Sequence, residues 1–188
     1  MSDTELEQII ANLLGNRIII FNPEDGSKLY KDGFYGKPVG IRKPKTFDFD
    51  RPLELSLIEA YYLLERKRIS IISQDSGKPI TMDEFRAIAE QFHKNFLNKY
   101  LVYKDLREKG YVVRPGLKFG ADFAVYIHGP GIDHAPFIIH VLESRDNISA
   151  IEMVRAGRLA TSVRKKFVIA TVPLTNQISY YIFTWFKP

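Results

Sequence analysis

Apolar positions along the 188-residue chain change their period several times, and each change predicts an element. Residues 4–14, TELEQIIANLL, read as a short amphipathic helix that closes at Gly15. Residues 17–21 are a strongly apolar strand, and Asn22-Pro23-Glu24-Asp25-Gly26 is its turn. Residues 27–35 then cross back as another strand. Ser56…Glu59 has the spacing of a capping box, in which the hydroxyl and the carboxylate each satisfy a free backbone amide. It opens a helix to about residue 67, with Leu57, Ala60, Tyr61 and Leu64 on one face. Residues 69–73 form a strand and 76–79 a turn. A second box, Thr81…Glu84, starts a helix on which Phe85, Ile88, Ala89, Phe92 and Phe96 repeat at helical spacing and predict core. His93 on this helix reads as a structural or surface histidine.

The second half repeats the alternation of strand and helix. Asn98-Lys99 marks a seam, and a helix over 100–109 ends at Gly110. Residues 111–113 begin a strand that turns at Pro115-Gly116 and again at Gly120. A hairpin follows, with arms over 121–128 and 136–143 and a connection, GPGID, rich in turn formers. Ser149…Glu152 is a third capping box, launching a helix to about residue 162. A basic strand over 164–172 and an aromatic strand over 178–186 complete the chain. The fold class is α+β. A small mixed α/β domain spans 1–97, and a second domain, a central mixed sheet flanked by helices, spans 98–188.

One stretch has neither period. Residues 36–52 hold three prolines, two glycines and alternating basic and aromatic residues, and they predict an exposed loop. Its GKPVGIRKPK segment carries Lys37, Arg42, Lys43 and Lys45 with no acid among them. A second basic cluster is Arg155, Arg158, Arg164, Lys165 and Lys166. The net charge of +5 favours polyanionic partners, and these clusters say where one would be gripped. Each cluster taken alone is as easily a solvated face. With no cysteine, disulfides, thiolate zinc sites and a Cys nucleophile are excluded. No apolar run approaches the roughly 20 residues a membrane helix needs. The acidic, amphipathic start is unlike a signal peptide, so an intracellular, cytoplasmic protein is expected.

The hairpin mouth concentrates Tyr126, His128, Asp133 and His134, and the basic strand brings Lys165 into range. An RNA strand can be cut by its own 2′-hydroxyl if a base takes the hydroxyl proton, an acid protonates the leaving 5′-oxygen and a cation steadies the phosphorane. Tyr126, His134 and Lys165 suit these roles in that order, with no metal and no cofactor. A phenol titrates near 10 and needs neighbouring cations to serve as a base, whereas an imidazole, near 6.5, suits an acid at neutrality. Tyr126 as an anchor of the hairpin, His134 as a cap of its turn and His128 as the acting histidine stand beside that reading. His140 alternates with apolar residues and reads as a packed or solvated strand histidine. The spacing of His128, His134 and His140 does not suit a metal.

The string YLVYKDLREKGYVVRPGLKFGADFAVY, then His134, then SVRKKFVIA and an aromatic strand ending Lys187-Pro188, resembles the archaeal tRNA-splicing endonucleases, in particular their catalytic subunits of the crenarchaeal type. The match is close over residues 97–188 and looser before that, where LSLIEAYYLL is also typical. The resemblance implies metal-free cleavage of precursor tRNA at bulge-helix-bulge intron junctions, leaving 2′,3′-cyclic phosphate and 5′-hydroxyl ends. It also implies a C-terminal sheet like that of the restriction endonucleases. The family's catalytic Tyr, His and Lys fall on Tyr126, His134 and Lys165, with Lys166 the runner-up for the last. An arginine that stacks on a flipped bulge base falls on Arg158, and its partner on the last strand on Tyr180 or Trp185. Arg42, Lys43 and Lys45 lie in what looks like an insertion. Some crenarchaeal catalytic subunits with such a loop accept a wider range of bulged substrates.

The family also implies an oligomer, because the substrate has two scissile bonds and this chain a single Tyr/His/Lys set. Its last strand is the expected dimerisation edge. Relatives insert an acidic loop into a basic pocket of a neighbour. Here that loop, Glu143-Ser144-Arg145-Asp146, has only two acids and an arginine, which favours a heterotetramer with a second, structural subunit over a homotetramer. Two other classes compete. A non-catalytic RNA-binding scaffold subunit has no need of all three of Tyr126, His134 and Lys165. A metal-dependent nuclease wants a carboxylate pair and an E-x-K strand; Asp122 is present, but IIHVLES supplies no E-x-K.

Overall fold

The structure is a computed structural model that describes residues 8–143, 145–173 and 177–184. The chain divides into two units, Met1–Lys94 and Asn95–Pro188.

In the first unit, β1 (Ile9–Leu14) and β2 (Arg17–Ile20) form an antiparallel hairpin through Gly15, where φ is +61°. The helix expected over 4–14 is therefore corrected to a strand from Ile9, and residues 4–7 lie outside the described residues. The reason is long-range. IIANLL pairs in parallel with β5 (Ile69–Ser73), Ile9 opposite Ile69 and Ala11 opposite Ile71, and its burial alternates with Ile10 facing out. The strand expected over 27–35 is corrected too, because residues 27–33 belong to helix α1 (Pro23–Gly33). Asn22 caps it, its Oδ1 accepting the N–H of Glu24 at 2.9 Å, with Pro23 at the first helical position. Asn-Pro is a helix start as readily as a turn. Phe34 ends the helix in the left-handed region.

The two predicted capping boxes of this unit are formed, opening α2 (Leu57–Glu65) at Ser56 and α3 (Met82–Phe92) at Thr81. On α2, Leu57 and Ala60 are buried as expected, but Tyr62 and Leu63 complete the buried face, while Tyr61 and Leu64 are only partly buried. Phe85 and Ala89 are core on α3 and Phe96 is core too, though it begins the helix of the next unit, while Phe92 is exposed. With β3 (Lys37–Pro38) and β4 (Leu53–Leu55), the sheet order is β3-β4-β2-β1-β5.

The second unit opens with α4 (Phe96–Glu108), which starts before the expected residue 100, and holds a sheet of order β10-β9-β8-β7-β6. Its strands are β6 (Val112–Pro115), β7 (Phe123–Tyr126), β8 (Phe137–Glu143), β9 (Lys166–Val172) and β10 (Ser179–Phe183). Only the β8–β9 pair is parallel, joined by α5 (Ala150–Ser162), whose cap is the predicted Ser149/Glu152 box. Strand alternation assigns the faces. Ile138, Phe167 and Ile169 pack with Ala160 of α5, whereas Phe123 meets Tyr103 of α4 with ring centroids 6.0 Å apart. Among the described residues no helix is long and apolar enough to cross a membrane.

Candidate active site

The β7–β8 connection gathers the candidate catalytic side chains. Tyr126 is the last residue of β7 and pairs with Val112. Directly after it the chain turns back over the carboxylate of Asp133. Oδ2 accepts the N–H groups of Ile127 and His128, both at 3.1 Å, and Oδ1 accepts that of Gly129 at 2.9 Å. His134 follows, exposed. Next comes Ala135, buried, whose carbonyl oxygen accepts a hydrogen bond from Lys165 Nζ at 2.5 Å. The peptide N–H of Lys166 donates to Pro136 O at 2.8 Å, which locks the start of β9 to the start of β8. One short segment thus joins Tyr126, His134 and Lys165.

The end of α5 aims the lysine. Arg164 takes a left-handed φ of 54°, and its N–H and that of Lys165 return to Thr161 O and Ala160 O at 3.1 and 2.8 Å. A non-glycine residue held there is the kind of local strain that packing must sustain. Lys165 Nζ also stands 5.1 Å from the ring centroid of Phe119, while Lys166 is exposed. Burial lowers the Lys165 ammonium pKa, Asp133 opposes that shift and Lys118 adds to it. Burial raises the Tyr126 phenol; Arg114 pulls it down and Asp133 pushes it up. His128, the alternative histidine, is exposed and contributes its backbone N–H to Asp133.

Behind the hairpin, Asp122 accepts from Val141 N–H and Lys99 Nζ, each at 2.8 Å, and from His140 Nδ1 at 3.2 Å. Despite the cost of its burial, these partners hold its pKa at about 2. The carboxylate that a metal-dependent reading would use is thus already paired, and His140 has a structural task.

The expected base-binding residues are placed unequally. Arg158 is exposed on α5. Tyr180 opposes Ala170, and its hydroxyl donates to Asp105 on α4 at 2.6 Å. Lys109 Nζ covers its ring at 5.2 Å. Register gives the α5 face of β10 to Tyr181 and Phe183 instead, Phe183 lying 6.1 Å from Phe167. Sequence alone left this phase open. Trp185 lies outside the described residues.

In the first unit, the basic loop leaves and rejoins the sheet at one point. Val39 N–H donates to Pro52 O at 2.9 Å, and Gly36 N–H donates to the buried Glu59 carboxylate at 3.1 Å. Gly36 has φ +70°, and a Cβ there would lie 2.8 Å from Glu54 O, so this position requires glycine. On the return, Phe47 packs on Phe34 and Tyr30 at 5.5 and 6.2 Å, and Phe49 packs on Tyr30 at 5.8 Å. Ser27 Oγ accepts the N–H of Phe49 at 3.1 Å. Arg42, Lys43 and Lys45 stand exposed at the tip, with no ion pair to any described residue.

Comparison with known proteins fits both units. The model of the tRNA intron endonuclease catalytic C-terminal domain matches residues 96–180, and that of the N-terminal domain of the same family matches 9–86. The two matches together define a two-domain endonuclease. Proteins named tRNA-splicing endonuclease are similar along nearly the whole chain. The one from Hyperthermus butylicus is 48% identical over 181 residues, 96% of this chain and 99% of its own length. That from Sulfurisphaera tokodaii is 44% identical over 181 residues, covering 95% and 99%. A Saccharolobus islandicus protein is 41% identical over 179 residues, covering 94% and 98%. The chain belongs to the tRNA intron endonuclease family.

Proposed function

We propose that this chain is the catalytic subunit of an assembly that excises introns from precursor tRNA. It cuts at bulge-helix-bulge junctions by attack of the 2′-oxygen on the adjacent phosphate. The P–O bond to the leaving 5′-oxygen breaks, giving a 2′,3′-cyclic phosphate and a 5′-hydroxyl. Tyr126 receives the 2′-hydroxyl proton, His134 protonates the leaving oxygen, and the Lys165 ammonium faces the charge that develops on the phosphorane. The observation that carries this reading is the Lys165–Ala135 hydrogen bond, which brings the cation beside His134. Lys166 makes no such bond through its side chain among the described residues. With its pKa raised, Tyr126 is mostly protonated at neutral pH, so the step starts from the minor fraction whose phenol proton has passed to solvent, and that phenolate takes the 2′-hydroxyl proton as the bond to phosphorus forms.

RNA shape is read by two exposed cationic elements. Arg158 offers a planar guanidinium for stacking on a bulge base, which tolerates sequence variation. Arg42, Lys43 and Lys45 grip phosphates, a role supported by their having no ion pair among the described residues.

The assembly is proposed to include a second, structural subunit. Asp146, one of only two acids in the loop that would insert into a neighbour, already accepts the N–H of Glu143 at 2.8 Å. The edge strand β10 exposes Tyr181, Ile182 and Phe183 and is the surface proposed for subunit pairing, with a homotetramer the other arrangement.

The test is cleavage of a bulge-helix-bulge RNA by the purified chain in EDTA. Cyclic phosphate ends, lost in His134→Ala, support the mechanism; cleavage abolished by EDTA overturns it in favour of a metal nuclease. Activity that appears only on adding the sister subunit identifies the heteromeric assembly. Full activity at the homotetramer mass overturns that assembly.

A further inference from the structure

We propose that Asp133 is the positioning residue of the active site: its carboxylate gathers the three amides that follow Tyr126, and so fixes the Tyr126 arm against the His134–Lys165 arm. The inference rests on the catalytic reading of Tyr126, His134 and Lys165. The geometry is unusually direct. The three N–H groups come from Ile127, His128 and Gly129, consecutive residues beginning immediately after Tyr126, at 2.9–3.1 Å. Asp133 immediately precedes His134, and the next residue, Ala135, takes the hydrogen bond from Lys165. Gly129 is also the residue on which the turn closes, since its carbonyl oxygen accepts the N–H groups of Ile132 and Asp133, both at 3.1 Å.

A carboxylate is suited to this place in a way an amide is not. Three inward N–H groups need acceptors on both oxygens, and the nitrogen of an asparagine would face a donor with a donor. The charge has a second effect. Asp133 is the acid that opposes proton loss from both Tyr126 and Lys165. The other charged groups acting on these two are Arg114 on β6 for Tyr126 and Lys118 before Gly120 for Lys165, while His128 acts on Asp133 itself. One side chain therefore sets the spacing of the catalytic groups and biases the protonation of two of them.

Two variants and two readouts test this. In Asp133→Ala and Asp133→Asn, the single-turnover rate at saturating RNA falls roughly 10- to 100-fold with little change in RNA affinity, as expected for reacting groups displaced by about 1 Å. Independently of activity, titration of the full chain labelled with 13Cζ-tyrosine, assigned with Tyr126→Phe, shows the Tyr126 midpoint moving to lower pH in Asp133→Asn. A turn residue whose carboxylate did not act on Tyr126 would not move that midpoint. Should Asp133→Ala fail to fold, the near-isosteric Asp133→Asn carries both readouts. If the Tyr126 midpoint stays in place and the rate stays within about twofold of the parent while His134→Ala abolishes cleavage, the Asp133 inference alone is overturned. If Tyr126→Phe and His134→Ala cut at the full rate, the catalytic reading falls instead, and with it the positioning role.

Discussion

Lys165 reaches across from the α5–β9 connection to the carbonyl of Ala135, 2.5 Å away on the other side of the parallel strand pair. The contact separates it from Lys166, the neighbour in the same basic run, which is exposed. Lys165→Ala should lower the cleavage rate by about 100- to 1,000-fold, as when a preorganised donor to a developing anion is lost. Lys166→Ala should leave it nearly unchanged. Because burial lowers the Lys165 pKa, the alkaline loss of activity should set in below the pH at which an ordinary lysine deprotonates. A pH–rate profile on both variants checks each statement.

Tyr180 and Arg158 should behave oppositely. The Tyr180 hydroxyl serves Asp105, so Tyr180→Phe should cost about 1–2 kcal/mol of stability, the range for a partly buried hydrogen bond to a charged group, and leave RNA affinity in place. Arg158→Ala should weaken RNA binding by about 1–3 kcal/mol through lost base stacking and leave the melting temperature unchanged. Thermal melts beside fluorescence anisotropy with a bulged RNA separate the two.

The basic loop should reveal itself in salt. Replacing Arg42, Lys43 and Lys45 together by Ala should flatten the dependence of log affinity on log salt by about 0.7–0.9 for each phosphate contact removed. Phe47→Ala with Phe49→Ala opens the clasp onto Tyr30 and Phe34 without touching a charge. If the clasp works by holding the tip, the two sets of changes are not additive in a double-mutant cycle. Additive losses would refute that coupling.

Asp122 makes the second unit sensitive to acid. Its pKa is held at about 2 in the fold, below the ordinary value of 3.8, so the folded state binds its proton less readily than the unfolded chain. The resulting stabilisation, about 2 kcal/mol, is fully present above pH 4 and lost as pH falls from 4 toward 2. Asp122→Asn should remove that part of the acid dependence in denaturant titrations at pH 2–6. An unchanged slope would show that Lys99 and His140 do not stabilise the charge.

Local signals were legible and non-local ones were not. Ser56, Thr81 and Ser149 each announced a helix because a capping box is written within four residues. The hairpin that carries Tyr126 and His134 was visible in its glycines and prolines. Ile9–Leu14 was misread because its strand character comes from pairing with Ile69–Ser73, far along the chain. Pro23–Gly33 was misread because Asn22-Pro23 opens turns and helices alike. Which residues of β10 share the α5 face depends on which residue of β9 each opposes, and that register is not written in the local sequence. Asp133 appeared in the sequence as one more protic group, and only the path of the turn shows that it binds three amides.

Val39 and Pro52 meet at the neck of the basic loop, and that meeting makes the intervening segment a detachable part. The sheet is already closed beneath it by the pairing of Lys37 with Glu54 and Pro38 with Leu53. Residues 40–51 can therefore lengthen, shorten or change charge while the strands that bear them keep their register. In such an architecture, the proposed RNA contacts of the loop can drift through one graft while the proposed catalytic residues, housed in another unit of the chain, stay as they are.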